Sequence, residues 1–199
     1  MRGFFYAAAW LLVSWYATIP SFWLAIHPFT GFWRRRPGSP YKIILPLWVG
    51  MIAAAAGATY PWRHVRLYET PYSWIAGIAL FATAISVYHG ARGDMTSAQV
   101  MGRAEVQPEK HEQKLATSGM HGRVRHPLYL GHLLMMSGWT VGSGLAVCYA
   151  LEAFAIVTGA LMVRLEEREL EQRFGDAYRE YKRRTPALVP RLAPPGSAT

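Results

Sequence analysis

From Phe4 to Ile26 the chain runs for 23 residues without a Lys, Arg, Asp or Glu. As a helix that run rises about 34 Å, enough to cross the roughly 30 Å hydrocarbon layer of a bilayer. A cleaved signal peptide is the competing reading. Its apolar region would be shorter, about 7 to 15 residues, and this run is studded with Trp10, Trp15, Tyr16, Phe22 and Trp23. Two further uncharged runs, Ile43 to Trp62 and Thr70 to Ala91, have the same reach. With 52% of its 199 residues hydrophobic and 17% charged, against roughly 25% charged in an average soluble domain, the chain carries more apolar surface than one small core hides.

The fourth apolar stretch, Pro127 to Val163, is 37 residues long. That is about 56 Å as one helix, nearly twice what a bilayer accommodates even with tilt, so it must fold back. Gly142-Ser143-Gly144 near its middle is the cheapest place to reverse. The expectation is a helical hairpin, Pro127 to Val141 and Leu145 to Val163. The fold class is then all-α: one polytopic membrane domain over residues 1–199, with about five transmembrane helices, a cytoplasmic amphipathic helix and a flexible tail over 191–199.

Lys and Arg are unevenly shared between the two sides. The loop after the first crossing, the loop from Arg92 to Arg125 and the C-terminal segment from Arg164 together hold 18, and the other side holds Arg2, Arg63 and Arg66. By the positive-inside rule the N-terminus lies outside, with the long loop and the C-terminus cytoplasmic. The net charge of +9 is then mainly topological and calls for no nucleic acid. Cys148 is the only cysteine, which excludes an intrachain disulfide and multi-cysteine metal sites; no metal is expected.

Polar chemistry concentrates on the cytoplasmic side. Between Arg164 and Arg184, 13 of 21 residues are charged, while Leu170, Phe174, Ala177, Tyr178 and Tyr181 recur at helical spacing, predicting an amphipathic helix that continues the fifth crossing. Stepping by four from Glu166 reaches Leu170, Phe174 and Tyr178, so Glu166 lies on the apolar face and Glu167 about 100° away. The Arg92 to Arg125 loop is too long for a mere connector and ends at Arg125-His126-Pro127. Pro127 suits the first turn of a helix, which puts His126 at or near its N-cap, where helix-end amides favour an anion. Glu152, near the middle of the fifth crossing, needs a partner there, such as His132 or a tyrosine.

Arg125-His126-Pro127-Leu128-Tyr129, preceded by Leu115-Ala116-Thr117-Ser118-Gly119, resembles the signature of the isoprenylcysteine carboxyl methyltransferase and phospholipid methyltransferase superfamily of membrane enzymes. Glu166-Glu167, Phe174-Gly175, Tyr178, Glu180-Tyr181-Lys182, Arg184, Pro186 and Pro190 are similar to the tail of the isoprenylcysteine enzymes. The resemblance covers about Gln113 to Pro190. It implies S-adenosylmethionine as methyl donor, with Gln113, Leu115, His121, His126, Pro127 and Tyr129 lining the cofactor pocket, Glu166 and Glu167 across from them, and Glu166, His126 and Arg125 as the catalytic candidates. The implied acceptor is lipophilic, a prenylcysteine-like carboxylate or a lipid headgroup, reached from the surrounding membrane lipids.

A carboxylate acceptor is already ionised at neutral pH and needs no general base. An amine must lose a proton, which makes Glu166 or His126 a base candidate. Two positions depart from the isoprenylcysteine pattern. Met162 stands where those enzymes carry an acceptor-binding arginine, and His121 stands where they have tyrosine. The alternative reading is a sterol-reductase-like oxidoreductase using NADPH, against which the Glu166-Glu167 pair and the modest length argue.

Overall fold

The computed structural model describes residues 2–190 except 94, 97–99, 108–109 and 111–113. Gln113 and the tail over 191–199 therefore lie outside the described residues. Among the described residues the chain is helical, with one isolated antiparallel bridge, between Arg66 and Leu145, in place of any sheet.

The first apolar run does not form one rod. α1 (Arg2–Ala17) ends at Thr18 and α2 (Ile19–Leu24) follows, then a 3-10 turn (His27–Phe29) and the short α3 (Thr30–Arg35). Pro20 has no N–H to give to the Tyr16 carbonyl, so the ladder breaks there. Thr18 fills the gap: its hydroxyl donates to the Trp15 carbonyl at 2.8 Å and accepts the Trp48 indole N–H at 2.9 Å. The expected single crossing helix is thus corrected to a segment broken at Thr18 and again at the His27–Phe29 turn before the helix carrying Arg34 and Arg35.

α4 (Tyr41–Thr59) and α5 (Tyr72–Arg92) form the second and third crossings. A short helix, α6 (Arg103–Val106), lies in the described part of the long loop. The hairpin is formed by α7 (Pro127–Ser143) and α8 (Ala146–Phe174), with Gly144 at φ +65 as the turn. On its other side the turn is sheltered by protein: Leu67 N–H donates to the Gly144 carbonyl and Ala146 N–H to Val65.

Four helical segments are long and apolar enough to cross a membrane: Gly3–Arg35, Tyr41–Trp62, Tyr72–Arg92 and Ala146–Phe174. α7, the remaining arm, has 17 residues, about 26 Å, and is held closely against α5 by glycines. A Cβ at Gly77 would stand 2.8 Å from the Gly138 carbonyl oxygen, and one at Gly142 would stand 2.6 Å from the Trp74 ring. Such small-residue seams let helices approach in lipid, where no hydrophobic force draws them together. α1 closes the bundle by packing Ala9, Val13 and Ala17 against Met136, Leu145, Cys148 and Leu151. α4 stands at the edge with Leu47 and Val49 exposed, tied on through Trp10 to Thr59 and Trp48 to Thr18.

At 29 residues, about 44 Å, α8 is longer than the hydrocarbon layer is thick, so its final turns leave the membrane with Glu166 and Glu167 on them. The amphipathic helix expected as one piece is interrupted at Gly175 (φ +56), after which α9 (Asp176–Arg184) starts. Glu152 is met neither by His132 nor by a tyrosine; its carboxylate accepts from Ser137 Oγ on α7.

Candidate functional site

Pro127 is the first residue of α7 and His126 stands at its N-cap, although the imidazole does not bond the helix-end amides. It turns instead toward α8. His126 Nδ1 lies 3.4 Å from Glu166 Oε2, and Nε2 lies 3.2 Å from Glu167 Oε1. An imidazolium is the one form that can donate to both. Burial alone would lower the pKa of this ring, but the Glu166 charge, joined by hydrogen bonds to Glu166 and Glu167, outweighs it and pushes the value up to about 9. Tyr129, one turn along α7, stacks on His126 with ring centres 5.7 Å apart and lines the same cavity as Glu166.

Glu167 departs from the pocket position that the resemblance implies for it. It does not turn to solvent, being only 7% exposed, and it does not line the cavity described below. It accepts from Arg125 Nε at 2.8 Å and pairs with Lys182 Nζ at 3.0 Å. Arg125 also donates to the Lys182 and Thr185 carbonyls. The backbone completes the junction: Arg125 N–H donates to the Pro186 carbonyl at 2.8 Å and His126 N–H to Ala187 at 3.0 Å. The segment after α9 therefore supplies α8 with a second wall that a lone helix lacks, and Glu167 is buried against it. Arg125, grouped by sequence with the catalytic candidates, spends its guanidinium on this junction while still bordering the cavity.

The cavity, of about 840 Å³, is lined by Leu115, His121, Arg125, His126, Pro127, Tyr129 and Glu166. The structure thus brings every sequence-derived pocket residue to one chamber except Glu167, which stands behind it, and Gln113, which lies outside the described residues. Leu170, Phe174 and Tyr178, the apolar face predicted for the last helix, line it as well. Tyr181 anchors the loop by donating to the His121 carbonyl at 2.6 Å. Trp15, Ile19, Phe22, Leu45 and Trp48 continue the same cavity as an apolar arm, and Trp15 (42%) and Leu45 (44%) are also exposed on the outer face of the bundle.

Two wall residues escaped the sequence reading. His27, 3% exposed, comes from the turn after α2, and Glu105 from α6. Their side chains approach to 3.2 Å. Together with Glu166 they bring three metal-capable ligand atoms within 4.8 Å of one another. Neither ring nitrogen of His27 nor Glu105 Oε2 makes a well-formed hydrogen bond among the described residues. No pattern singles them out: His27 is one histidine after an apolar run, and Glu105 is one of four acids in a long loop.

Comparison with known proteins adds a second line to this geometry. The chain is 31% identical over 161 residues to methanethiol S-methyltransferase 2 of Bradyrhizobium diazoefficiens, covering 81% of this chain and 54% of that protein. It is 37% identical over 91 residues to protein-S-isoprenylcysteine O-methyltransferase B of Arabidopsis thaliana, 43% of this chain and 44% of that one. These relatives are consistent with the isoprenylcysteine methyltransferase-like superfamily that the motifs resemble. A similarity of 34% over 119 residues reaches Delta(14)-sterol reductase TM7SF2 of Mus musculus, covering 58% of this chain and 28% of that protein. The chain spans about half the length, or less, of these curated relatives. No family model and no solved structure matches it.

S-adenosylmethionine, the cofactor implied by resemblance, has donor and acceptor groups at one end and a nucleoside at the other. The residues present fit it. The carboxylates of Glu105 and Glu166 line the cavity, Arg103 and Lys114 border it with positive charge, and Tyr129 offers an aromatic face to a cation. The volume lies in the range of pockets for ligands of this size.

Proposed function

We propose that this protein is an integral membrane methyltransferase that uses S-adenosylmethionine and acts on a lipophilic acceptor. The observation that carries the reading is one cavity with two characters. Its polar end joins His126 at the start of α7 to Glu166 on α8, and its apolar arm reaches the lipid-facing surface at Trp15 and Leu45. When bound, the cofactor supplies an electrophilic methyl group on a cationic sulfonium. Glu166 offers negative charge toward that cation, and protonated His126 fixes the Glu166 carboxylate. Tyr129, stacked on His126, holds the imidazole that faces this carboxylate. The aromatic lining excludes water, so positioning and desolvation supply the acceleration. The 18 to 3 division of Lys and Arg supports a cytoplasmic polar end and an external N-terminus.

Calorimetry on the detergent-purified protein tests this. Binding of S-adenosylhomocysteine with no binding of NADPH is the expected result. The reverse outcome assigns the chain to the reductase branch, to which the similarity with the mouse protein points.

A further inference from the structure

Two carboxylates of the chain meet a buried imidazole on the wall of the chamber. Glu105 from α6 and Glu166 from α8 converge with His27, one nitrogen or oxygen of each lying within 4.8 Å of the others. Their further partners differ. Glu166 shares His126 with Glu167, and Glu167 is paired in turn with Arg125 and Lys182. Among the described residues Glu105 forms its one ion pair with His27, at 3.2 Å. The other charges around this ring are engaged elsewhere or border the cavity at large. On α8, Glu169 pairs with Arg34 and Arg173. From α3, Arg34 gives its Nε–H to the Glu105 carbonyl at 2.8 Å, not to the carboxylate. From α4, Tyr41 donates to the Met101 carbonyl. α2 brings only the Trp23 ring, stacked on His27 with centres 5.3 Å apart. Arg103 of α6 lines the cavity, as do Arg92 and Lys114. Like charges this close disfavour each other's ionisation, and a carboxylate withdrawn from water is held by a cation beside it. The cation that the chain itself offers to Glu105 is the imidazolium of His27.

We propose that His27 sets the preference of this chamber for the charged methyl donor over its spent form, by giving up a proton when a cation takes the space beside Glu105 and Glu166. The inference rests on the S-adenosylmethionine reading and deepens it. S-adenosylhomocysteine differs from the donor by one methyl group and one fixed positive charge. With His27 protonated, a second cation beside the two acids meets a like charge. An imidazolium relieves that repulsion by releasing its proton to solvent, which an arginine in its place would not do. Once the fixed charge is gone, His27 takes a proton back from solvent and again serves as the counter-ion of Glu105. The two acids then have no further use for a cation, and the neutral product is held less tightly than the donor. His126 is not placed for this part, because its two nitrogens face Glu166 and Glu167 at once. His27 instead has one carboxylate at 3.2 Å, and neither of its nitrogens is in a well-formed hydrogen bond among the described residues. It is buried and lines the chamber, so what fills the chamber decides what its ring senses.

Calorimetry on the full-length protein in detergent tests this at about pH 6 and about pH 7, below the range in which the α-amino groups of the ligands titrate. Each titration is run in phosphate and in Bis-Tris, whose ionisation enthalpies differ, so that the difference in heat counts the protons exchanged. S-adenosylmethionine is expected to release roughly 0.5 to 1 proton and to gain up to about tenfold in affinity over that interval, because a ligand that expels a proton binds more tightly as pH rises. S-adenosylhomocysteine is expected to release none and to bind alike at both values. In His27→Gln both ligands bind, and the proton release and pH dependence of the donor disappear. A side chain that only shaped the wall would leave that proton count in place. Should His27→Gln fail to fold, Glu105→Gln takes its role, since it removes the carboxylate paired with His27 and leaves His126 with both of its acids. Equal proton counts for the two ligands in the wild type, or undiminished release in the folded variant, overturns the proposal. A wild type that binds neither ligand defeats the methyltransferase reading and this proposal together, an outcome distinct from binding without proton release.

Discussion

Each ring nitrogen of His126 faces a different carboxylate, so loss of the ring's proton removes one donor and one positive charge from between two acids. With its pKa pushed up from the ordinary 6.5 to about 9, the folded state holds this proton more tightly than the unfolded chain. The stabilisation is fully present below about pH 6.5 and is lost as pH rises through about 9. Thermal unfolding in detergent should show the midpoint falling across that window, and His126→Gln should flatten the dependence. Arg125→Ala strips the buried Glu167 of its guanidinium and should cost roughly 3 to 5 kcal/mol in the same assay. Toward the cofactor, Glu166→Ala and His126→Ala should each weaken S-adenosylhomocysteine binding by about 1 to 3 kcal/mol, as loss of a charge-assisted hydrogen bond does; unchanged calorimetric affinity in both would remove these residues from the cofactor site. Helical phase and the Arg125-His126-Pro127 motif made His126 and Glu166 legible before any coordinates. His27 and Glu105 were not, nor was the place of Glu167 behind the cavity, because what buries each of them arrives from more than 14 residues away along the chain.

At the scale of helices, hydropathy located the apolar stretches and their approximate ends, since both depend on composition within one window. Their interruptions escaped it. The bend at Thr18 combines a local cause, Pro20, with a distant one, the Trp48 indole N–H that settles on the freed threonine. The Gly175 break spares the helix from continuing straight and lets the segment beyond α9 return to Arg125 and His126. Intimate pairing of α5 with α7 was equally invisible, because the glycines that allow it sit 61 residues apart in the chain, at Gly77 and Gly138. A side chain at Gly77 meets backbone, which cannot swing aside. Gly77→Val should therefore lower stability by about 1 to 3 kcal/mol, measured as a fall in detergent unfolding temperature. Gly50→Ala, on the lipid-facing α4 where an added methyl group would meet nothing within 4 Å, should leave it unchanged.

For the whole molecule, orientation is the property on which access to a cytosolic cofactor depends. Cys148 is buried, so a cysteine placed at Gly3 should be the reactive thiol in labelling with a membrane-impermeant reagent. Modification in intact cells is the expected result, and modification only after lysis would mean the protein is inserted the other way round. The bonds from Arg125 and His126 to Pro186 and Ala187 also bear on biosynthesis. A nascent chain that has threaded all its hydrophobic segments into the bilayer still lacks the strap that orders the loop ahead of α7. The strap closes only after Pro186 and Ala187 have been synthesised, so a chain cut before Pro186 would insert its hydrophobic segments and leave the loop ahead of α7 unordered.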